Sequence, residues 1–267
     1  MPRLRYRTEP HALAPTALQP AGPPGNDTSL NLDSRATEAP APAFCARDLS
    51  RRYGQKWALA HLDLAASAGE VLLVAGPNGS GKTTFLRLLA GLARPTSGEL
   101  ELFGKSLASD PFGWRRNVSL LSHASYLYDP LSALETLRLW ARLLGRPAGE
   151  EELRSRLAEV GLETDAENLV SGFSAGMQKR LTFARVRLED SPLVLLDEPF
   201  AALDTAGQEL VTAWIDADRR AGKTVVIASH NLERAAKLAD RAALLARGQM
   251  RWLGPARELP GVLSRAS

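Results

Sequence analysis

The sequence predicts an α/β fold with a parallel core sheet, because three strand-length apolar runs are each followed by an expected helix. The runs are Val71–Ala75 (VLLVA), 193–196 (LVLL) and 224–228 (TVVIA), and strands covered on both faces have this composition. After the first two runs, apolar residues recur at helical spacing, and a helix is also expected after the third. With 267 residues, the chain is long enough for one large domain of this class, or for one domain and a tail.

Residues 1–42 differ in composition from the rest of the chain. They contain eight of the 17 prolines and show little apolar periodicity, so they cannot bury enough surface to offset the entropy of ordering. We expect a disordered tail. The early arginines suggest a targeting peptide, but prolines interrupt the apolar stretch that such a peptide needs, and a misplaced translation start stays open. The folded domain is expected over 43–267.

The net charge of +3 is slight. Such a small charge does not indicate nucleic-acid binding, and we expect no nucleic-acid partner. It is compatible with a surface near anionic lipid. The single cysteine, Cys45, excludes an intramolecular disulfide and a cysteine-based metal cluster. No apolar run approaches the roughly 18 residues that span a bilayer. We therefore expect a soluble chain whose membrane role depends on partner subunits.

A glycine-rich loop, GPNGSGKTT, joins the first apolar strand to its helix. Its glycines let the backbone close around an anion, and the helix start offers free N–H groups at the positive end of the helix dipole. Lys82 adds a point charge for the β- and γ-phosphates, and Thr83 adds a hydroxyl for Mg²⁺. The predicted triphosphate site consists of Gly76, Pro77, Asn78, Gly79, Ser80, Gly81, Lys82, Thr83 and Thr84.

Two accessory regions are predicted around this core. Residues 43–67 alternate in polarity around a turn at Gly54, which indicates two or three antiparallel strands. Over 100–121 we expect strand, loop and strand. Helical spacing then predicts helices over 132–144 and around 153–160, within an inserted helical region over about 123–176.

Polar residues follow the second and third apolar strands, at the sheet edge where open α/β folds bind ligands. Asp197 is expected to be a Mg²⁺ partner rather than a helix cap, and Glu198 to orient and deprotonate a water. His230 is expected to contact the γ-phosphate, although a lone histidine is more often structural. Asn231 is expected to cap the next helix, and Gly248 to turn a closing hairpin.

A second helix start carries small residues and a hydroxyl. Gly172 and Gly176 flank Ser174, just before a helix with Leu181 and Ala184 on one face. Such a helix start is a potential anion site, but without a lysine it cannot hold a triphosphate alone. We therefore expect it to complete the site of another molecule.

Taken in order, these motifs resemble those of the ATP-binding subunits of ABC transporters. The set is GPNGSGKTT, FSAGMQKR (173–180), LVLLDEP (193–199), AALD (201–204) and ASH (228–230), and the resemblance covers about 43–254. It implies an ABC-type P-loop NTPase domain with an N-terminal antiparallel β subdomain and a short helical subdomain. It also implies nucleotide contacts outside the phosphate loop. Tyr53 would stack on the base, and the remaining contacts would be Ser174, Ala175, Gly176, Met177 and Asp204.

Two regions depart from the family pattern, the signature and the segment after the predicted strand at 117–121. In the signature LSGGQ, Ala175 replaces a glycine and Met177 the glutamine, with little expected effect. His123 stands where the family has a glutamine that senses Mg²⁺ and the membrane subunit. Either neutral His123 contacts a Mg²⁺-bound water, or it is inert and the coupling role has moved. The stretch 120–145 resembles one branch of the family, the ATP-binding subunit of the haem exporter for cytochrome c maturation.

The resemblance implies two domains stacked head to tail, as a homodimer, with each ATP between one phosphate loop and the partner's signature. They would bind integral membrane permease subunits at the cytoplasmic face of the inner membrane, as peripheral subunits that energise export. The implied catalytic residues are Lys82, Glu198 and His230. The implied Mg²⁺ residues are Thr83, Asp197 and His123.

The sequence leaves one other function open and disfavours two more. An exporter of a lipid or a drug stays open, because the membrane subunits select the cargo. A soluble ABC ATPase acting on ribosomes or DNA is disfavoured, because such proteins usually carry two cassettes or a long insertion. A kinase or GTPase is disfavoured because the sequence has no NKxD motif, and the second helix start would then have no purpose.

Overall fold

A computed structural model of the protein describes residues 42–107, 109–122 and 125–266. The predicted tail, apart from Pro42, and His123 lie outside the described residues. The elements, in chain order, are β1 (Pro42–Tyr53), β2 (Lys56–Ser67), β3 (Val71–Ala75), α1 (Lys82–Leu89), β4 (Ser97–Leu102), β5 (Lys105–Ser106), α2 (Pro111–Arg116), β6 (Val118–Leu121), α3 (Ala133–Leu143), α4 (Glu150–Glu159), α5 (Ala175–Glu189), β7 (Leu193–Asp197), α6 (Thr205–Arg220), β8 (Thr224–Ser229), α7 (Leu232–Leu238), β9 (Arg241–Ala246), β10 (Gln249–Pro255) and α8 (Leu259–Ala266).

A six-stranded sheet forms the centre of the domain, in the order β10-β9-β3-β8-β7-β6. Its strands pair in parallel except for β10, which is antiparallel to β9. The three apolar runs of the sequence form the neighbouring strands β3, β8 and β7, in which every residue is buried. The predicted parallel core sheet is confirmed, and β9 and β10 form the predicted hairpin.

A separate antiparallel sheet has the order β2-β1-β4-β5. The hairpin of β1 and β2 turns at Gly54 and pairs Tyr53 with Lys56. This confirms the antiparallel strands predicted over 43–67. The pairing also fixes Tyr53 at the very end of its strand, beside the turn.

Alternate residues of the central strands pack on opposite faces of the sheet, as strand geometry requires. On one face, Leu72 and Val74 pack with the antiparallel sheet and α1, where the rings of Phe44 and Phe85 lie 5.8 Å apart. On the other face, Leu73 packs with residues of α6, α7 and α8. The end of β3 is therefore held from both sides, which fixes the start of the loop that follows it.

The helices α3 and α4 share a third apolar core with α5. α3 begins with a capping box: Ser132 Oγ accepts a hydrogen bond from Glu135 N (3.1 Å), and the Glu135 carboxylate accepts one from Ser132 N (2.9 Å). The rings of Phe183 in α5 and Trp214 in α6 lie 5.0 Å apart. α3 and α4 match the helices predicted over 132–144 and 153–160, to within a few residues.

Some local predictions were wrong or incomplete. The loop expected within 100–121 contains β5 and α2, and Asp110 caps α2 by accepting from Gly113 N (2.7 Å). α8 follows the last hairpin without having been predicted. Asn231 occupies the N-cap position of α7, but its side chain makes no capping bond. Its backbone N–H instead donates to Ser229 Oγ (3.1 Å).

None of the described helices combines the length and the apolarity that crossing a bilayer requires.

Candidate nucleotide site

The loop between β3 and α1 requires glycine at two positions, because neighbouring backbone atoms leave no room for a Cβ there. A Cβ on Gly76 would lie 2.3 Å from the carbonyl oxygen of Leu245 in β9, and a Cβ on Gly81 would lie 2.6 Å from that of Ala58 in β2. Both glycines also have positive φ, 146° and 111°, where side chains are strained. The glycines were predicted to make room for an anion, but at these two positions the protein's own strands already require them.

The start of α1 offers donors and a buried ammonium group. No side chain caps the helix, so the first N–H groups remain for a ligand. The Lys82 side chain is buried, and its Nζ donates to the carbonyl oxygens of Gly76 (2.8 Å) and Pro77 (3.3 Å). Ser80 Oγ is buried without a hydrogen-bond partner. The loop therefore concentrates unpaired donors and positive charge at one point.

A hydroxyl and a carboxylate meet beside this loop. Thr83 Oγ1 donates to Asp197 Oδ2 at 2.8 Å, whereas Asp197 Oδ1 is buried without a hydrogen-bond partner. Burial raises the pKa of Asp197, and the Thr83 hydrogen bond opposes that rise. A buried carboxylate oxygen that lacks a partner, next to a hydroxyl, fits a hard divalent cation such as Mg²⁺. The residues present therefore suit the cation that the sequence predicts.

Glu198 lies next to Asp197 and is held by the last residue of β8 and the residue after it. Its Oε1 accepts from His230 N (3.0 Å) and lies 2.8 Å from His230 Nδ1, and its Oε2 accepts from Ser229 Oγ (3.0 Å). Lys82 Nζ is 3.9 Å from Glu198 Oε1. The sequence predicts Glu198 and His230 at this edge. Ser229 was not predicted, although its position at the end of an apolar strand is a signal for it.

These side chains surround one open cavity of about 580 Å³. Gly76 and Pro77 are not among its described lining residues. Their carbonyl groups instead accept hydrogen bonds from Lys82 Nζ. The cavity brings together most of the predicted site residues, namely Tyr53, Asn78, Gly79, Ser80, Gly81, Lys82, Thr83, Thr84, Asp197, Glu198 and His230.

Aromatic side chains stand at the mouth of the cavity. Tyr53 is 45% exposed, and the guanidinium carbon of Arg51 lies 4.5 Å from its ring centroid. Trp57, which sequence analysis did not single out, also lines the cavity and is 46% exposed. A planar ligand therefore has exposed rings to stack on.

The signature residues occupy a different surface. Ser174 caps α5 by accepting from Met177 N (3.2 Å), and a Cβ on Gly176 would lie 3.2 Å from the carbonyl oxygen of Ala202. Asp204 caps α6 by accepting from Gly207 N (2.8 Å). Within the described part of the chain, neither helix start lines the cavity beside Lys82. A nucleotide in that cavity is therefore not enclosed by this copy's own signature.

The family model for ABC transporter proteins matches residues 59–201, more than half of the chain. The chain belongs to the ABC transporter family. Its matched region contains the phosphate loop, the signature helix and the Asp197–Glu198 pair, so it is an ATPase domain of the ABC type.

Curated relatives are similar over most of their own length. The cytochrome c biogenesis ATP-binding export protein CcmA of Pseudomonas putida KT2440 is 40% identical over 191 residues, which cover 71% of this chain and 88% of the relative. The protein of the same name from Xanthomonas axonopodis pv. citri is 41% identical over 189 residues, covering 71% and 87%. The resemblance to this branch of the family is confirmed.

Solved structures agree on the fold. An ATP-binding subunit of an ABC transporter superposes with a TM-score of 0.74 at 26% identity, covering 83% of this chain and 93% of the other. A dimeric ATP-binding cassette, described as a post-hydrolysis state with ADP and Pi, superposes with a TM-score of 0.72 at 25% identity, covering 80% and 99%. The predicted ABC-type α/β fold is confirmed.

Replacing Lys82 tests the phosphate site. We expect Lys82→Ala to weaken ATP binding by about 100-fold or more, because the buried ammonium supplies charge-assisted contacts to the phosphates. Isothermal titration calorimetry with ATP measures the change, and Lys105→Ala, at an exposed lysine of β5, is the matched control. Unchanged ATP affinity in Lys82→Ala would remove the phosphate-loop assignment.

Proposed function

We propose that this protein is the ATP-hydrolysing subunit of an ABC exporter for cytochrome c biogenesis, with haem as the cargo. The main support for the proposal is 40% sequence identity, over 88% of the relative's length, to a cytochrome c biogenesis ATP-binding export protein. The cavity beside Lys82, Asp197 and Glu198 supplies the residues that ATP hydrolysis needs. On this proposal the chain is a peripheral subunit at the cytoplasmic face of the inner membrane.

In the proposed reaction, the phosphate loop and Lys82 bind the phosphates of ATP, and Tyr53 stacks on the base. Lys82 would exchange the Gly76 and Pro77 carbonyl groups for phosphate oxygens. Thr83 and Asp197 would hold Mg²⁺, with Oδ1 of Asp197 available for it. When bound there, the ion would neutralise phosphate charge. We propose His123 as a further Mg²⁺ contact on the family resemblance alone.

Glu198 is the proposed general base. Its carboxylate lies in the cavity within hydrogen-bonding distance of His230 and Ser229, so an attacking water has an acceptor beside the γ-phosphate position. His230 would steady both the base and the γ-phosphate. Most of the acceleration then comes from positioning and charge stabilisation, because phosphoryl transfer needs little covalent help from the protein.

A second copy of the chain would complete each site. Ser174 and Ala175 are exposed at the start of α5, where free N–H groups suit a phosphate. A head-to-tail homodimer would place them, with Gly176, Met177 and Asp204, over the nucleotide of the partner. The dimeric arrangement of the post-hydrolysis cassette supports this assembly.

A basic groove offers a place for the permease subunit. The groove has a volume of about 820 Å³ and is lined by residues of α2, β6, α3 and α5. Its wall includes Leu120 and Tyr126. These residues flank position 123, where the family resemblance places the sensing of the membrane subunit. Among the described lining residues, Glu189 is the acidic one, and it pairs with buried Arg185 (2.8 Å). We propose that a carboxylate-bearing cytoplasmic segment of the permease docks here, against Arg115, Arg116 and Arg146.

The groove proposal predicts a charge-reversal effect. We expect Arg116→Glu combined with Arg146→Glu to remove the stable complex with the co-expressed permease, because like charges would then face each other. Co-purification from detergent-solubilised membranes measures the complex, with thermal melting as the folding check. Arg251→Glu, at an exposed position of β10, is the control. Undiminished co-purification of the double variant would contradict the docking site.

The base assignment predicts a trapped state. We expect Glu198→Gln to lower ATP turnover by about 10²–10⁴-fold, since glutamine keeps the shape but cannot accept the proton. ATP should then accumulate in a stable dimer. Phosphate release and size-exclusion chromatography with ATP measure the two effects, with Glu233→Gln, at an exposed residue of α7, as the control. Normal hydrolysis by Glu198→Gln would contradict the assignment.

The cargo proposal predicts a cytochrome phenotype. We expect deletion of the gene to abolish c-type cytochromes, because apocytochromes would receive no haem, and haem staining of membrane and periplasmic fractions measures this. The wild-type gene should restore them and the Glu198→Gln variant should not. Normal c-type cytochromes in the deletion strain, together with loss of a lipid or a drug export activity, would instead favour another cargo.

A further inference from the structure

Lys179 has a contact that the proposed mechanism does not use. It lies in the second turn of α5, five residues after Ser174, and its side chain is half-buried. Its Nζ donates a hydrogen bond to the backbone carbonyl oxygen of Glu198 at 3.0 Å. The signature helix therefore touches the backbone of the proposed general base within the same copy of the chain.

The backbone at Glu198 needs such support. Its φ of 49° lies in the left-handed region, which a residue with a side chain adopts at a cost and which tends to occur where function demands it. The Glu198 N–H donates to the carbonyl oxygen of Ala228 (2.8 Å), so β8 holds one side of the residue. Lys179 holds the other side through the carbonyl group, and the two bonds together fix the direction in which the carboxylate leaves the chain.

The surroundings of Lys179 are consistent with a specific role for its charge. Burial lowers the pKa of Lys179, and the negative charges of Asp197 and Glu198 oppose that effect. A charged group is rarely kept away from solvent unless it has partners. Here the hydrogen-bond partner is the carbonyl group of Glu198, and the charges of Asp197 and Glu198 favour the ammonium form.

We propose that Lys179 is a positioning residue for ATP hydrolysis. By holding the Glu198 carbonyl group, it maintains the left-handed turn that aims the carboxylate at the attacking water. Because Ser174 and Lys179 belong to one rigid helix start, rising about 1.5 Å per residue, the same bond links the surface offered to the partner's nucleotide with this copy's own base. The proposal depends on the proposed role of Glu198.

The test compares Lys179→Met, which keeps the length but removes the donor and the charge, with Lys179→Arg, which keeps both. In the full-length protein we expect Lys179→Met to lower kcat by about tenfold, with KM and the calorimetric Kd for ATP changed less than about twofold. Lys179→Arg should retain most of the wild-type kcat. Lys237→Met, at an exposed lysine of α7, is the matched surface control and should behave as wild type.

Three outcomes would overturn the proposal. One is wild-type kcat in Lys179→Met. Another is an equal loss in the Met and Arg variants with raised KM and a lower Tm, which would indicate packing alone. The third is a normal rate for Glu198→Gln measured in parallel, which would remove the base itself. A slow Glu198→Gln together with a fully active Lys179→Met would leave the proposed function standing and reject Lys179 alone.

Discussion

Parallel pairing of β3, β8 and β7 brings three separate parts of the sequence to one edge of the sheet. Ala75 at the end of β3 pairs with Ser229 at the end of β8, and Ala228 pairs with Asp197 at the end of β7. The residues that come next in each case are the phosphate loop, His230 and Glu198. All three strands are buried on both faces, so a slip in register would move each side chain to the opposite face, where close packing does not accommodate it. The chemistry of the edge depends on this pairing.

At that edge, buried charges are arranged so that each has a partner. Lys82 rests on the carbonyl groups of its own loop, Asp197 accepts from Thr83, and Lys179 donates to the Glu198 backbone. Unpaired buried charge is costly, so a protein keeps such a cluster only where the groups serve one another or a ligand. Two buried atoms still lack a hydrogen-bond partner, Asp197 Oδ1 and Ser80 Oγ. A bound cation would be a partner for the first, and a phosphate oxygen for the second.

The signature helix divides the functional groups of the chain between two surfaces. Its exposed start does not line the cavity beside Lys82, although Lys179, one turn further on, reaches the backbone of Glu198. On the proposed function, each surface would carry half of a binding site, and a second copy of the chain would supply the complementary half. If the partner's nucleotide binds at the helix start, the Lys179 bond would connect that surface directly to Glu198, the proposed base.

The sequence by itself determined the parallel core, the phosphate loop, the carboxylates at 197 and 198 and the family, because each depends on local periodicity or on a motif within a few residues. It did not determine α2, α8 or β5, because segments of six, eight and two residues are too short for periodicity alone to identify. Only the tertiary structure decided that Ser229 and Lys179 contact Glu198. It also decided that backbone atoms of β9 and β2 leave no room for a Cβ at Gly76 and Gly81. Those contacts join residues that are distant along the chain, and the distances between them are fixed by how the layers pack.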